Sequence, residues 1–280
     1  MSDAQFGYHQ PCELSISAQG AYLEFAIELS KAAAKVILPY FRPEAINTET
    51  EVENKSREGY DPVTQADRGA EQAMRHLIAE RFPDHGVFGE EFGFSKGASL
   101  TWVLDPIDGT RAFVMGLLHW GTLVALFDGE RPRIGVLHQP FLKEMFTGDC
   151  ERAFQFSSGA KRSLATRPCA SLDEALCAST SPDMFATAGE RIGFERVRSF
   201  VRDMRYGTDC YAYAMLASGH IDLVIEASLK PYDVQALMPI IEGAGGLLTT
   251  WQGENAAMGG AVVASGDPRL HEQVLKELQS

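Results

Sequence analysis

A buried apolar run that ends in two acids is the most confining feature of this chain. Residues 102–113 read "WVLDPIDGTRAF": Trp102, Val103 and Leu104 form an apolar strand, and Asp105 and Asp108 follow at its carboxyl end. Carboxylates are costly to remove from water unless something positive meets them. The cost is sharper here because the 280-residue chain already carries 38 acids against 25 bases, a formal charge of −13. Pro106 has no N–H to give a sheet, so the ladder is expected to stop there. Gly109-Thr110 and the following "AFVMGLL" read as a turn into a helix, whose first N–H groups suit an anion. Asp105, Asp108 and the Ile107 carbonyl between them offer the oxygen donors that hard divalent cations take while keeping water. A cation cluster beside an anion site, with a Thr hydroxyl adjacent, fits phosphate-ester chemistry.

Bulk properties narrow the setting. At 45% hydrophobic and 22% charged residues the make-up is that of a soluble globular protein, one large domain or two modest ones. No basic stripe is visible, so neither nucleic acid nor an anionic membrane is an expected partner. No apolar run reaches eighteen residues, so no membrane span is expected. Cys12, Cys150, Cys169, Cys177 and Cys210 are scattered, odd in number and without CxxC spacing. That pattern argues against structural zinc or a disulfide framework and for a reduced, cytoplasmic protein. The N-terminus lacks the basic and apolar regions of a signal peptide.

Periodicity supplies a coarse map. Residues 20–41 read as an amphipathic helix ending near Pro39, and 42–60 as a charged loop, with a short strand at most. Residues 63–86 hold a second helix with Thr64 as N-cap, stopped by Pro83. "GVFGEEFG" reads as a short strand and turn and "TWVLDP" as a strand, and residues 121–149 form a β-meander around "DGER". Helices are expected at 208–219, 233–246 and 267–279, with strands at 221–227, 247–251 and 261–265. An antiparallel-sheet lobe, about residues 20–155, thus packs against an α/β lobe, about 156–280, the texture changing around 150–175.

Other acids interrupt apolar runs. Asp67 serves a helix N-terminus equally well as a site, Glu90 and Glu91 read as a surface pair in a Gly-flanked turn, and Asp233 as a first-turn acid. Residue by residue, those plainer alternatives stay open.

Taken together the motifs resemble a known family. "DPIDGT" (105–110) is similar to the DPxDGT signature of the inositol monophosphatase superfamily of Mg2+-dependent, lithium-sensitive phosphatases. "DPVTQAD" (61–67), "GEE" (89–91) and "YDVQALMPIIEGAGG" (232–246) resemble three further family motifs, in order, and the likeness runs from about residue 20. The resemblance implies a layered α/β/α/β/α sandwich of the inositol monophosphatase and fructose-1,6-bisphosphatase type, assembled as a homodimer. It implies Glu90, Asp105 and the Ile107 carbonyl at a first metal, Asp105, Asp108 and Asp233 at a second, and Asp67 with Glu90 at a third. Gly109 and Thr110 would bind the phosphate, and a water oriented by Thr110, Glu90 and Asp67 would attack phosphorus.

The alcohol side of the substrate is read the same way. The family's alcohol-binding acid, seven positions before Asp233, corresponds to Glu226. A second substrate segment corresponds to "RYGTDCYAY" (205–213), which brings in Arg205 and Asp209. Inositol-specific members carry small apolar residues where this chain has Asp209; Tyr232 replaces the family's Trp, and Gln235 and Leu237 also depart from the family's small-residue helix. The segment looks most like the histidinol-phosphatase branch, whose substrate carries an ammonium and an imidazole that two acids would complement. Other small phosphate monoesters, inositol monophosphate or a 3′-phosphonucleotide, are the neighbouring expectations. A non-catalytic metal- and partner-binding homologue is the expectation from another class.

Overall fold

The computed structural model describes residues 16–42, 53–54, 62–63, 65–98 and 100–280. Helix α1 (Ile16–Ile37) buries Phe25, Ala26, Leu29, Ala33 and Ile37, one stripe of a 3.6-residue period. Helix α2 (Gln65–Arg81) does the same with Ala66, Ala70, Met74 and Ile78, and ends before Pro83. The cap assigned to Thr64 lies outside the described residues, as does most of the loop read at 42–60. Two short strands, β1 (Glu53–Asn54) and β2 (Pro62–Val63), pair there antiparallel.

Both helices cover one face of an eight-stranded sheet. Its strands are β3 (Gly86–Gly89), β4 (Gly93–Ser95), β5 (Thr101–Asp108), β6 (Gly121–Phe127), β7 (Pro132–Gln139), β8 (Glu144–Gly148), β9 (Ala153–Ser157) and β10 (Ala160–Ser163). They run in the order β10-β9-β8-β7-β6-β5-β3-β4, antiparallel except for β3 beside β5. The short helix α3 (Thr110–Val114) follows β5. A five-stranded sheet, β12-β11-β13-β15-β14, holds β11 (Leu176–Ser179), β12 (Asp203–Tyr206), β13 (Leu223–Leu229), β14 (Leu247–Thr250) and β15 (Gly260–Ser265). Helices α5 (Asp209–Ala217), α6 (Pro231–Val234) and α7 (Leu237–Gly243) lie between the sheets, and α4 (Ala188–Phe200) and α8 (Pro268–Gln279) cover the far face.

Strand alternation divides the apolar residues among three cores. Trp102 and Leu104 face α1 and α2, whereas Val103 faces the middle helices. Val224 joins that middle core, and Leu223 and Ile225 join the outer one with Phe194 and Val274. The result is the expected layered α/β/α/β/α sandwich.

Two local expectations are corrected. Strand β5 does not end at Pro106: the ladder to β6 resumes at Asp108 opposite Gly121 after a register shift between Asp105 and Asp108. Such an irregularity leaves the missing N–H of Pro106 without a ladder role, and the Pro106 carbonyl accepts from Thr122 Oγ1 at 2.8 Å. The helix read over 233–246 is two helices with a turn at Gln235–Ala236, because Pro239 cannot bond back to the carbonyl of residue 235. Helix α4 and strands β9 to β12 had no expectation from periodicity.

The break lets the middle layer lie directly on the first sheet. A Cβ at Gly135 would stand 1.9 Å from the Ala236 carbonyl oxygen, and one at Gly148 2.2 Å from that of Pro239. Gly148→Ala must therefore push α7 off β8, and should lower unfolding free energy by about 2 kcal/mol in chemical denaturation. Gly189→Ala, in α4 with nothing within 4 Å, serves as the comparison and should be neutral or slightly stabilising. Equal effects at the two positions would refute the close approach.

Candidate active site

Four elements converge where β5 meets α3. Asp105 is buried to 1% exposure, and Asp108 beyond the irregularity is half-buried. Helix α6 brings Asp233, whose N–H donates to the Lys230 carbonyl and whose Oδ2 accepts from the Lys230 N–H at 2.6 Å. One carboxylate oxygen each from Asp105, Asp108 and Asp233 lie within 4.8 Å of one another. Asp67, in the first turn of α2, forms a second such group with Glu90 and Glu91 from the turn after β3. The Glu90 N–H donates to the Leu104 carbonyl at 3.2 Å, extending the parallel β3–β5 pairing to the residue before Asp105.

Charge ties the two groups together. Burial first, then Glu90, Asp108, Asp233 and Asp67 in that order, hold the Asp105 carboxyl well above the usual range. Asp233 is likewise raised by burial and then by Asp108. Asp108 is raised by burial, opposed by its contact with Cys210, whose backbone N–H donates to Asp108 Oδ2 at 2.8 Å. Asp105 Oδ1 is buried with no hydrogen-bond partner. An orphaned buried carboxylate oxygen ringed by other carboxylates lacks positive charge, and an all-oxygen donor set fits a hard divalent cation. The residues present therefore fit a metal.

Gly109 could be no other residue. Its φ is 79°, and a Cβ there would stand 2.6 Å from the His119 carbonyl oxygen and 3.2 Å from Asp209 Cβ and Cγ. Thr110 Oγ1 donates to the Ile107 carbonyl at 3.0 Å, which leaves that hydroxyl oxygen an acceptor toward the site.

Sequence reasoning missed Glu71. One turn after Asp67 on α2 and fully buried, it accepts from the Glu91 N–H at 2.7 Å, the Phe92 N–H at 3.3 Å and Arg75 Nε at 2.7 Å. Gly89 makes room: a Cβ there would fall 2.0 Å from Glu71 Oε1. Arg75 also donates to the Gly93 carbonyl, so α2 grips both sides of the turn that carries Glu90 and Glu91. The i, i+4, i+8 spacing of Asp67, Glu71 and Arg75 was the available signal.

The opposite wall comes from the second sheet. Glu226 on β13 is 3% exposed; its carboxylate accepts from the Thr180 N–H at 2.9 Å and the Tyr213 hydroxyl at 3.0 Å. Asp209 opens α5 with φ 41°, a left-handed value seldom taken by a residue with a Cβ, and its N–H donates to Thr180 Oγ1. Burial, then Asp108 and Glu226, push Asp209 up to about 8, against the opposing Arg111. Burial, then Asp108, push Glu226 up to about 7, against hydrogen bonds from Thr180 and Tyr213. Asp209 and Glu226 thus join the acids of β5, whereas Arg205 stands exposed on edge strand β12. Arg111 beside Asp209 was not anticipated.

Comparison with known proteins agrees with this geometry. Paired acid clusters at the end of a central strand, in this five-layered sandwich, define a metal-dependent phosphatase. The chain belongs to the inositol monophosphatase family, whose model matches residues 19–280. It is 40% identical over 281 residues to the bifunctional phosphatase IMPL2, chloroplastic, of Arabidopsis thaliana, covering 96% of this chain and 78% of that one. A histidinol-phosphatase of Chlorobaculum parvum is 30% identical over 255 residues, 90% of this chain and 95% of the relative. An inositol monophosphatase structure from Zymomonas mobilis superposes with a TM-score of 0.81 at 41% identity, covering 94% of this chain and 99% of that one.

Two outcomes follow from the site's charge and support. With Asp209 at about 8 and Glu226 at about 7, against ordinary values of 3.8 and 4.5, the folded state binds more protons than the unfolded chain between those limits. Stability must then fall as pH rises through that window. In EDTA the unfolding midpoint should drop steadily from about pH 5 to about pH 8, and millimolar Mg2+ should restore part of the loss by binding the native state. A midpoint insensitive to both would refute the cluster. Glu71→Gln should raise the Mg2+ concentration for half-maximal phosphate release about tenfold while changing kcat at saturating Mg2+ less than threefold. A loss confined to kcat would show that Glu71 does not set the turn.

Proposed function

We propose that the protein is a Mg2+-dependent phosphomonoesterase that hydrolyses histidinol phosphate to histidinol and phosphate. The observation that carries the substrate reading is the pair of half-buried Asp209 and buried Glu226, carboxyls raised to about 8 and about 7 beside the acid cluster. Held in that state they favour a ligand that brings positive charge, since an ammonium or imidazolium would stabilise their ionised forms. A neutral polyol has no such use for two acids. The left-handed backbone of Asp209 supports the same reading, because strain of this kind is retained where a side chain must be aimed. Relatives described as histidinol-phosphatases lend further support.

On this reading Glu90, Asp105 and the Ile107 carbonyl would hold one ion, Asp105, Asp108 and Asp233 a second, and Asp67 with Glu90 a third. Bound Mg2+ would supply the positive charge that makes water a nucleophile at neutral pH and steadies the leaving alkoxide. Thr110, its proton committed to the Ile107 carbonyl, would accept from the attacking water and, with Glu90 and Asp67, orient its approach. Backbone N–H groups of Gly109 and Thr110 would bind the phosphate, and Asp209 and Glu226, rather than the exposed Arg205, would meet the alcohol side. Exposed Val114, Met115, Leu117 and Phe141 support a homodimer as the working form. The unpaired thiols of Cys150, Cys169, Cys177 and Cys210 suit a reducing, cytoplasmic setting.

The test uses one variant and two esters. Asp209→Ala removes a charge-assisted contact worth roughly 1.5–3 kcal/mol, so kcat/KM for histidinol phosphate should fall by about one to two powers of ten. Turnover of inositol-1-phosphate should change little. Equal losses on both esters, or a wild-type preference for inositol-1-phosphate, would overturn the substrate assignment and leave a phosphatase of other specificity.

A further inference from the structure

A second concave site lies on the α1 side of the eight-stranded sheet, away from every acid described above. It encloses about 760 Å3 between α1, the β7–β8 turn and the β9–β10 turn, a volume suited to a small molecule. Ile27, Leu38, Met145 and Phe156 give it an apolar floor, and Lys31, Lys35, Lys143 and His138 its polar groups.

The lysines are placed by the fold on two facing walls. Ile27, Lys31, Lys35 and Leu38 follow one another at i, i+4, i+8 and i+11, a single stripe of α1. Lys143 arrives from the opposite side with φ 58°, a left-handed backbone that a lysine rarely adopts. Its turn is fixed by buried Gln139, whose Oε1 accepts from the N–H groups of Phe141 and Leu142 and whose Nε2 donates to the Leu118 carbonyl. His138 Nδ1 lies 3.2 Å from the Ser30 carbonyl, which can only accept; the ring's other nitrogen is therefore an acceptor. Burial takes that imidazole down to about 4, so it adds no charge at neutral pH. Lys161 lies over the rings of Phe154 and Phe156 at 3.9 and 5.4 Å, and adds a cation at the rim.

Among the described residues no acid lines this cavity. The acids nearest in sequence are turned elsewhere: Glu28 pairs with Arg81 at 2.8 Å, and Glu144 accepts from Tyr211 and Gln155. In a chain with 38 acids and 25 bases, three lysines gathered around an apolar hollow without a lining carboxylate form a site of the opposite sign to the catalytic one.

We propose that this cavity binds a small amphipathic anion: a flat apolar body against Phe156 and Met145, with a phosphate, sulfonate or carboxylate group between Lys31, Lys35 and Lys143. Such a ligand relieves the mutual repulsion of the lysines and covers the apolar floor together; a neutral apolar molecule does only the second. None of the catalytic acids lines this cavity, so its ligand need not compete with the substrate.

The aromatic sulfonate 1-anilinonaphthalene-8-sulfonate is the probe, titrated into Mg2+-loaded protein. Saturable one-to-one fluorescence enhancement is expected. The double variant Lys31→Glu, Lys35→Glu should weaken it by at least about tenfold while keeping the wild-type unfolding midpoint and hydrolysis rate. Neutral N-phenyl-1-naphthylamine should bind both proteins alike. Met115→Ser, which removes an exposed apolar side chain elsewhere, should leave the sulfonate titration unchanged. Enhancement that never saturates, survives the double charge reversal or disappears with Met115→Ser would each overturn the proposal.

Discussion

The burial of Asp105 among other carboxylates is the constraint around which the molecule is arranged. At 1% exposure, with one oxygen unpartnered and Glu90, Asp108, Asp233 and Asp67 close enough to raise it, this group opposes folding in the metal-free chain. No one element creates the cluster. Strand β5 supplies Asp105 and Asp108, α2 supplies Asp67, the turn after β3 supplies Glu90 and Glu91, and α6 supplies Asp233. Three separate apolar cores hold those elements in place against the repulsion. The same repulsion is what makes the place attractive to divalent cations.

Positions in the site are set by backbone approaching backbone, which only glycine permits. Gly135 and Gly148 let the Ala236–Pro239 segment rest on β7 and β8, and this fixes the helix pair whose first member carries Asp233. Gly89 admits the Glu71 carboxylate, which holds the N–H groups of Glu91 and Phe92. Gly109 admits both the His119 carbonyl and Asp209, bringing the start of α5 against the loop that ends β5. Site and packing are thus one problem: a methyl group at any of these positions moves a carboxylate.

The two ends of the centre differ in kind. On one side six acids gather around the end of β5; on the other, Asp209 and Glu226 are lifted by burial while neighbouring donors and Arg111 pull against the shift. The first arrangement suits fixed metal charge, and the second a ligand group that can share a proton. The lysine-lined hollow between α1 and the β7–β8 and β9–β10 turns repeats the logic with reversed sign.

Much of this was legible in the chain. The acids after Trp102–Leu104 announced themselves because charge in an apolar run has few explanations, and the stripes of α1 and α2 followed from spacing alone. Four ordered motifs then pointed to the layered fold and to the acids that gather in the site. Glu71 and Arg111 were not legible, since their importance lies in which N–H or carboxyl they meet across space. Nor was the continuation of β5 past Pro106, which depends on the Thr122 hydroxyl of the neighbouring strand. The break in the helix at Gln235 depended on Pro239 and on two glycines roughly a hundred residues earlier in the chain. By itself the sequence determined which residues must be buried and which acids needed a cation, because burial and charge belong to residue type and local period. Only the tertiary structure decided which acids share an oxygen-to-oxygen distance, which are lifted in pKa and which turn away, because those depend on contacts between segments far apart in the chain.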